Sequence, residues 1–128
     1  MFSQIRSEED IKYFLETNNM LHDSYIIDAQ YQDCGINRID NCLTFSPDQT
    51  NLTIRILVTS DFDKIIEIEF KNLIEWQIKN NSTSIFSAYA HILDNGFILF
   101  SSEFCTNFED FKNYSYVIAE TMKWRVCN

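Results

Sequence analysis

Leu52-Thr53-Ile54-Arg55-Ile56-Leu57-Val58-Thr59 is the stretch that decides the fold. Leu52, Ile54, Ile56 and Val58 recur every second residue, and successive side chains of a strand point to opposite faces, so these four share one face. The same period returns at Ile66, Ile68 and Phe70 within Lys64 to Lys71. Between the two runs, Asp61-Phe62-Asp63 reads as a hairpin loop. Phe86, Ala88, Ala90 and Ile92 repeat the alternation further on. Period-two apolarity on this scale predicts an antiparallel, β-rich domain with one face of its sheet on a core.

Working outward, Ser7-Glu8-Glu9-Asp10 has the form of a helix start. Ser7 suits a capping position, and the acids suit the positive end of the helix dipole. Ile11, Phe14 and Leu15 follow on one helical face, predicting a helix from Glu8 to Thr17 that Asn18-Asn19 ends. Met20 to Ser24 links it to a strand from Tyr25 to Cys34, with Tyr25, Ile27, Ala29 and Tyr31 alternating against polar residues. Gly35 to Asn51 reads as a long connection with a short strand at Cys42 to Phe45. A tight turn at Lys71-Asn72 would open another strand, Leu73 to Lys79, with Ile74, Trp76 and Ile78 on one face. Ile85 to Leu93 and Phe97 to Ser102 flank Asp94-Asn95-Gly96. A two-residue turn at Asn95-Gly96 would set Leu93 opposite Ile98 and His91 opposite Phe100. Glu103 to Asn113 is a connection whose Phe104, Phe108 and Phe111 should fold over a sheet end. Tyr114 to Val126 fits a strand or a helix face, and its aromatic and β-branched content favours a strand. The expected fold is α+β: an antiparallel, curled or partly closed sheet of about six to eight strands with one N-terminal helix, in a single domain.

The totals narrow the function classes. The chain has 128 residues, 45% hydrophobic and 15% aromatic, enough apolar surface for one core and too much for a disordered chain. Its net charge of −9 argues against nucleic acid and against anionic membrane surfaces, and it would steer a basic protein onto the domain. The polar, acidic start from Met1 to Asp10 and the lack of a long apolar run predict a cytoplasmic location. Cys34, Cys42, Cys105 and Cys127 have no paired spacing, so they read as free thiols, although Cys34 with Cys42 would close a short loop. No metal and no cofactor is expected, since ligand pairs and glycine-rich phosphate loops are lacking.

Several residues are candidates for a site. His22-Asp23-Ser24 contains the residue types of a catalytic triad, but triads assemble from separated parts of a fold, and turn chemistry is the plainer use of Asp and Ser. His91 sits mid-strand with no nucleophile or orienting carboxylate visible beside it. Glu67 and Glu69 share the polar face of their strand and read as solvated. Trp76, Tyr89, Phe100, Tyr114, Tyr116 and Trp124 are core residues or, where they face outward among acids, part of a protein-binding patch. No catalytic residue is assigned. The residues expected at a binding site are His22, Asp23, Trp76, Tyr89 and His91.

The order of features also bears a resemblance. His22-Asp23-Ser24 before the first long strand, Leu52-Thr53-Ile54, the segment Ile66 to Leu73, the hairpin at Asn95-Gly96 and the closing Lys123-Trp124-Arg125 are similar to a family of small bacterial proteins to which no activity is assigned. A looser similarity of size, charge and composition connects the chain with immunity proteins that neutralise bacterial toxins. The resemblance carries no catalytic role. The expected function is non-enzymatic protein binding, in one form the inhibition of a toxin. The alternative is a small ligand held inside the curled sheet, and a third reading is an enzyme with His22, Asp23 and His91 lining one cleft.

Overall fold

The computed structural model describes residues 1–33, 36–40, 42–45, 50–80 and 83–127. In chain order the elements are β1 (Ser3–Ile5), α1 (Glu8–Thr17), β2 (Ser24–Asp33), β3 (Ile36–Ile39), β4 (Cys42–Phe45), β5 (Thr50–Val58), β6 (Lys64–Gln77), β7 (Ser84–Ile85), β8 (Tyr89–Ile92), β9 (Ile98–Ser101) and β10 (Tyr116–Val126). Eight of the strands form one antiparallel sheet in the order β7-β2-β5-β6-β10-β9-β8, with β1 added beside the far end of β10. Strands β3 and β4 make a separate hairpin. The fold is therefore α+β, with one main helix on a curled half-barrel.

The curl follows from connectivity. Strands β7 and β8 stand at opposite ends of the sheet, yet only Phe86, Ser87 and Ala88 lie between them. That link spans about 14 Å at most, so the two ends of the sheet must approach each other. Inside the curl, Leu52, Ile54, Ile56 and Val58 of β5 and Ile66, Ile68 and Phe70 of β6 are all fully buried. Their register sets Ile54 against Ile68 and Leu52 against Phe70, and β10 continues the row with Met122 and Trp124.

Helix α1 closes the inside. Ser7 Oγ accepts the Asp10 N–H at 3.2 Å, and Glu8, Glu9 and Asp10 occupy the first turn. Ile11, Phe14 and Leu15 are buried, with Phe14 centred 5.2 Å from Trp124 and 6.4 Å from Phe100. The last turn has no basic residue of its own; Lys64 Nζ instead donates to Thr17 O at 3.2 Å, placing a cation at the negative end of the dipole.

Four expectations need correction. Lys71-Asn72 is not a turn: β6 runs unbroken from Lys64 to Gln77. Asn72 does take a positive φ of 60°, but inside the strand, with its side-chain amide on Glu120 at 3.1 Å. Just beyond, Leu73 faces Ala119 and Glu75 faces Ile118, so Ile74 is the extra residue of a β-bulge and lies half exposed instead of beside Trp76.

The second correction concerns Asn95-Gly96. Leu93 and Phe97 close a three-residue loop, and only Gly96 has positive φ, at 89°. This is the turn-plus-left-handed-glycine solution, one residue longer than the two-residue turn. The register moves with it, so Phe100 faces Ala90 and His91 faces Leu99. A shift of one residue changes faces, which sends Phe100 into the main core and leaves His91 outside.

The other two corrections concern segment length and burial. The Ile85–Leu93 segment is split into β7 and β8. Strand β2 does not keep Tyr25, Ile27, Ala29 and Tyr31 on one face: Ile27 is the extra residue of a β-bulge between the Ile26–Ile56 and Asp28–Arg55 pairs, so Tyr25 stands outside with Leu57 while Ala29 and Tyr31 stand opposite Ile54 and Leu52, and Tyr25, Ile27 and Tyr31 are all exposed.

The C-terminal segment is the expected strand. With Phe111 folded down from the 3-10 turn Phe108–Asn113, the outer faces of β9 and β10 are also buried, in a cluster of Leu99, Phe111, Tyr116 and Ile118. This double coverage explains why Ile98-Leu99-Phe100 is continuously apolar.

Ile54→Ala should lower the unfolding free energy in urea by about 2–5 kcal/mol, the usual cost of emptying a sealed core position. Ile74→Ala, at the half-exposed bulge, should stay within about 0.5 kcal/mol of the native chain. Equal costs at the two positions would contradict the bulge.

Candidate functional site

Three turns meet at one end of the sheet: the segment Asn18 to Asp23, the 3-10 turn Thr59–Asp61 with Phe62 and Asp63, and the β7–β8 link at Phe86 to Ala88. Hydrogen bonds tie them together. Asn19 Nδ2 donates to Ser60 Oγ at 3.0 Å, Ser60 Oγ donates to the His22 carbonyl, and Thr59 Oγ1 donates to the Asp23 carbonyl. Ala88 N–H donates to Met20 O at 3.1 Å, and Asp23 N–H to Phe86 O at 3.3 Å.

This end also carries most of the backbone strain. Of the eight non-glycine residues with positive φ among the described residues, six are here: Asn19, Met20, Leu21, Asp23, Phe62 and Asp63. Asn and Asp adopt that conformation readily, since their short side chains bond locally. Met20, Leu21 and Phe62 do not, and each is held there at a cost of about 1–2 kcal/mol. Leu21 is repaid by full burial. Phe62, at φ 57° and ψ 38°, is 99% exposed.

The surface is mixed. Phe62, Phe86 (66% exposed), Met20 and Tyr25 present apolar area, and Asp23 and Asp63 stand exposed among them. His22 lies at its centre. The His22 ring meets Phe86 edge-on with centroids 4.8 Å apart. Its Nδ1 lies 2.7 Å from the Phe86 carbonyl, which can only accept, so Nδ1 carries the hydrogen. Nε2 then faces the Asp23 carboxylate at 3.4 Å.

The five expected binding residues fall in three places. His22 and Asp23 share the loop end. Tyr89 and His91 lie together on the outer face of β8, with centroids 6.2 Å apart. There His91 Nδ1 is 3.2 Å from Glu8 Oε1, which also accepts the Ile92 N–H at 3.1 Å, so this histidine helps clip helix α1 to an edge strand. Tyr89 stacks on Phe111 and meets Phe104 edge-on; burial and, less strongly, the Glu8 carboxylate push its hydroxyl pKa up. Trp76 is elsewhere, stacked on Tyr31 at 5.5 Å. Neither Phe62 nor Phe86 is among the expected site residues: the alternation places Phe86 with Ala88 and Ala90 on a core face, but the strand breaks at the β7–β8 link and leaves Phe86 exposed, whereas the lone phenylalanine of Asp61-Phe62-Asp63 is a usable signal.

The carboxylate pair Glu67 and Glu69 is not simply solvated. Glu67 is 6% exposed and lies in register between Arg55 of β5 and Arg125 of β10. Arg125 bonds it at 2.6 Å and Arg55 at 3.4 Å, and the Phe2 ring covers Arg125. Glu67 is thus the middle of a cross-strand ion triad; Glu69 pairs across to Lys123 of β10 at 3.7 Å and along its own strand to Lys71 at 3.5 Å, with Thr53 opposite it on β5. Cys42, Cys105 and Cys127 are free thiols, and Cys34 lies outside the described residues. Burial, then Asp110 and Glu103, push the Cys105 thiol pKa up, which disfavours the reactive thiolate. Among the described residues no group of three His, Cys, Asp or Glu could hold a metal ion, and no helix is long and apolar enough to cross a membrane.

The fold thus defines an α+β half-barrel with an exposed, mixed apolar and acidic loop end. In comparison with known proteins, no family model, no curated protein and no solved structure matches the chain.

Tyr116 gives a pH test of the outer cluster. Burial and its hydrogen bond to the Glu75 carboxylate push its pKa up to about 12, against 10.0 for a free tyrosine. Both folded and unfolded chains hold the proton below pH 10, so the stabilisation is complete there. It drains away as pH climbs from 10 towards about 12, because only the unfolded chain releases the proton in that window. Ultraviolet titration should show one tyrosine ionising last. Tyr116→Phe should remove that step and make stability fall less steeply across the same window.

Proposed function

We propose that this protein is a non-enzymatic protein-binding domain whose contact surface is the loop end around Phe62, Phe86 and His22. The observation that carries the reading is Phe62, a large apolar side chain fully in water and held in a left-handed backbone conformation. Strain at an exposed residue has no packing reason, and strained exposed residues concentrate at sites of recognition. Aromatic anchors ringed by polar groups are the usual energetic centre of a protein interface. The acidic side chains at this end and the net charge of −9 favour a basic partner, and inhibition of a basic toxin is the specific form that the sequence resemblance supports. A small ligand inside the sheet would need space that Phe14, Phe70 and Phe100 fill. For the enzyme reading, His22 and His91 are each engaged with different partners on different elements.

The test separates binding from folding. Immobilised full-length protein should retain a basic protein from extracts of its own organism at low salt and release it at high salt. Phe62→Gly should abolish that retention while raising the unfolding free energy by up to about 1 kcal/mol, since glycine enters the left-handed region without strain. Retention that survives both Phe62→Gly and Phe86→Ser, or that ignores salt, would count against this surface.

A further inference from the structure

Strand β2 has an edge that, among the described residues, is paired only at its start. Strand β5 pairs with it from Ser24 to Asp33, but on the opposite side β7 reaches only Ser24 and Tyr25. Ile26 N–H still finds Thr83 O at 2.7 Å. From Ile27 to Gln32, no strand among the described residues pairs with that side. Open edges are normally blunted with lysine, proline, a β-bulge or a covering element. The molecule covers the edge of β8 in this way, with the Glu8 carboxylate on Ile92 N–H. The bulge at Ile27 precedes the regular run Asp28 to Gln32, which has no lysine, proline or bulge. The segment Ile27-Asp28-Ala29-Gln30-Tyr31-Gln32 has no Lys, Arg, Pro or Gly, and Ile27 and Tyr31 are about half exposed.

We propose that two copies of this chain join antiparallel through this edge, about a two-fold axis at Gln30. The pairing with β5 fixes the faces. Ala29 and Tyr31 stand opposite Ile54 and Leu52, on the inner side of the sheet, and Asp28, Gln30 and Gln32 are on the outer side. An axis at Gln30 sets Ala29 against Tyr31 of the other copy and Asp28 against Gln32. Apolar meets apolar on the inner row, and polar meets polar on the outer row. No carboxylate lies opposite a carboxylate, so the acidity of the chain is not concentrated at the joint. Tyr31 is held ready by its stack on Trp76, at 5.5 Å and 24° between planes. The second copy is the occupant because its edge matches in sequence, length and facing. The contact is short, so the dimer is a weak one that forms with concentration.

The full chain is followed by sedimentation equilibrium from about 5 µM to about 500 µM, a range that brackets weak association. The expected result is a rise from the monomer mass towards twice that mass. The double variant Ala29→Lys with Tyr31→Lys, at exposed positions, should keep the native circular dichroism spectrum and stay monomeric throughout. Oxidised Gln30→Cys should give a disulfide joining two copies through position 30, found by peptide mass spectrometry. Asp28→Cys should not link to itself, because position 28 faces position 32. A native chain that stays monomeric over the whole range overturns the proposal, whatever else the edge binds. So does a dimer that survives the lysine pair without the position-30 link. Phe62→Gly leaves this edge untouched, so loss of binding at the loop end and loss of the dimer are read separately.

Discussion

The pairing of β5 with β6 is the constraint from which the rest follows. Seven side chains, Leu52 to Val58 on one strand and Ile66 to Phe70 on the other, point to one side and are sealed from water. Neither strand can cover that row by itself. Fully burying side chains of this size is worth about 1.5–3 kcal/mol each, so the chain gains by wrapping everything it has around them. Strand β10 extends the row, the curl brings β8 and β9 across it, and Phe14 of the helix fills the middle. The short β7–β8 link is the visible consequence, because a sheet that must roll up over its own face can be rejoined by three residues.

What the sequence made legible follows the same line. The reading is right where a local preference or one buried face runs without interruption: the Ser7 cap, the face of Ile11, Phe14 and Leu15, the β5–β6 hairpin and the β10 strand. The failures arise where two preferences competed. Asn72 does take positive φ, but neighbouring strands on both sides hold it in the ladder, and the conformation becomes part of an irregular, bulged stretch instead of a turn. Asn95-Gly96 favours a two-residue turn, but the apolar requirement of Phe100 opposite Ala90 fits a loop one residue longer. Glu67 looked solvated because its two arginine partners are distant in sequence and only pairing makes them neighbours. The candidate site was half legible for a related reason. His22 and Asp23 were visible as an unusual step, whereas Phe62 and Phe86 join them only through tertiary hydrogen bonds.

The distribution of strain separates scaffold from surface. In the scaffold, three exposed or charged groups are met locally: Glu67 by two guanidiniums, the helix C-terminus by Lys64, the edge of β8 by Glu8. At the loop end, the left-handed backbone at Met20 and Phe62 is combined with exposed apolar side chains. Folding alone gives no account of that combination, since a glycine or asparagine would serve either position better. The proposed contact surface would account for a combination that works against stability.

Strand β2 connects the two surfaces. Its first residues are locked between β5, β7 and the loop end, and from Asp28 to Gln32 no strand among the described residues pairs with its other side. Ser24 is six residues from Gln30, about 20 Å at the rise of an extended strand. Two copies joined at Gln30 would therefore carry their loop ends at opposite extremes, about 40 Å apart along the common strand direction. That spacing keeps the acidic ends well beyond the screening length at physiological salt, so neither copy weakens the attraction of the other for a basic partner. Such a dimer would also be bivalent. A partner that presents two copies of its own contact, or that is itself paired, would be held through both ends, with a gain that depends on whether its sites can span the same distance.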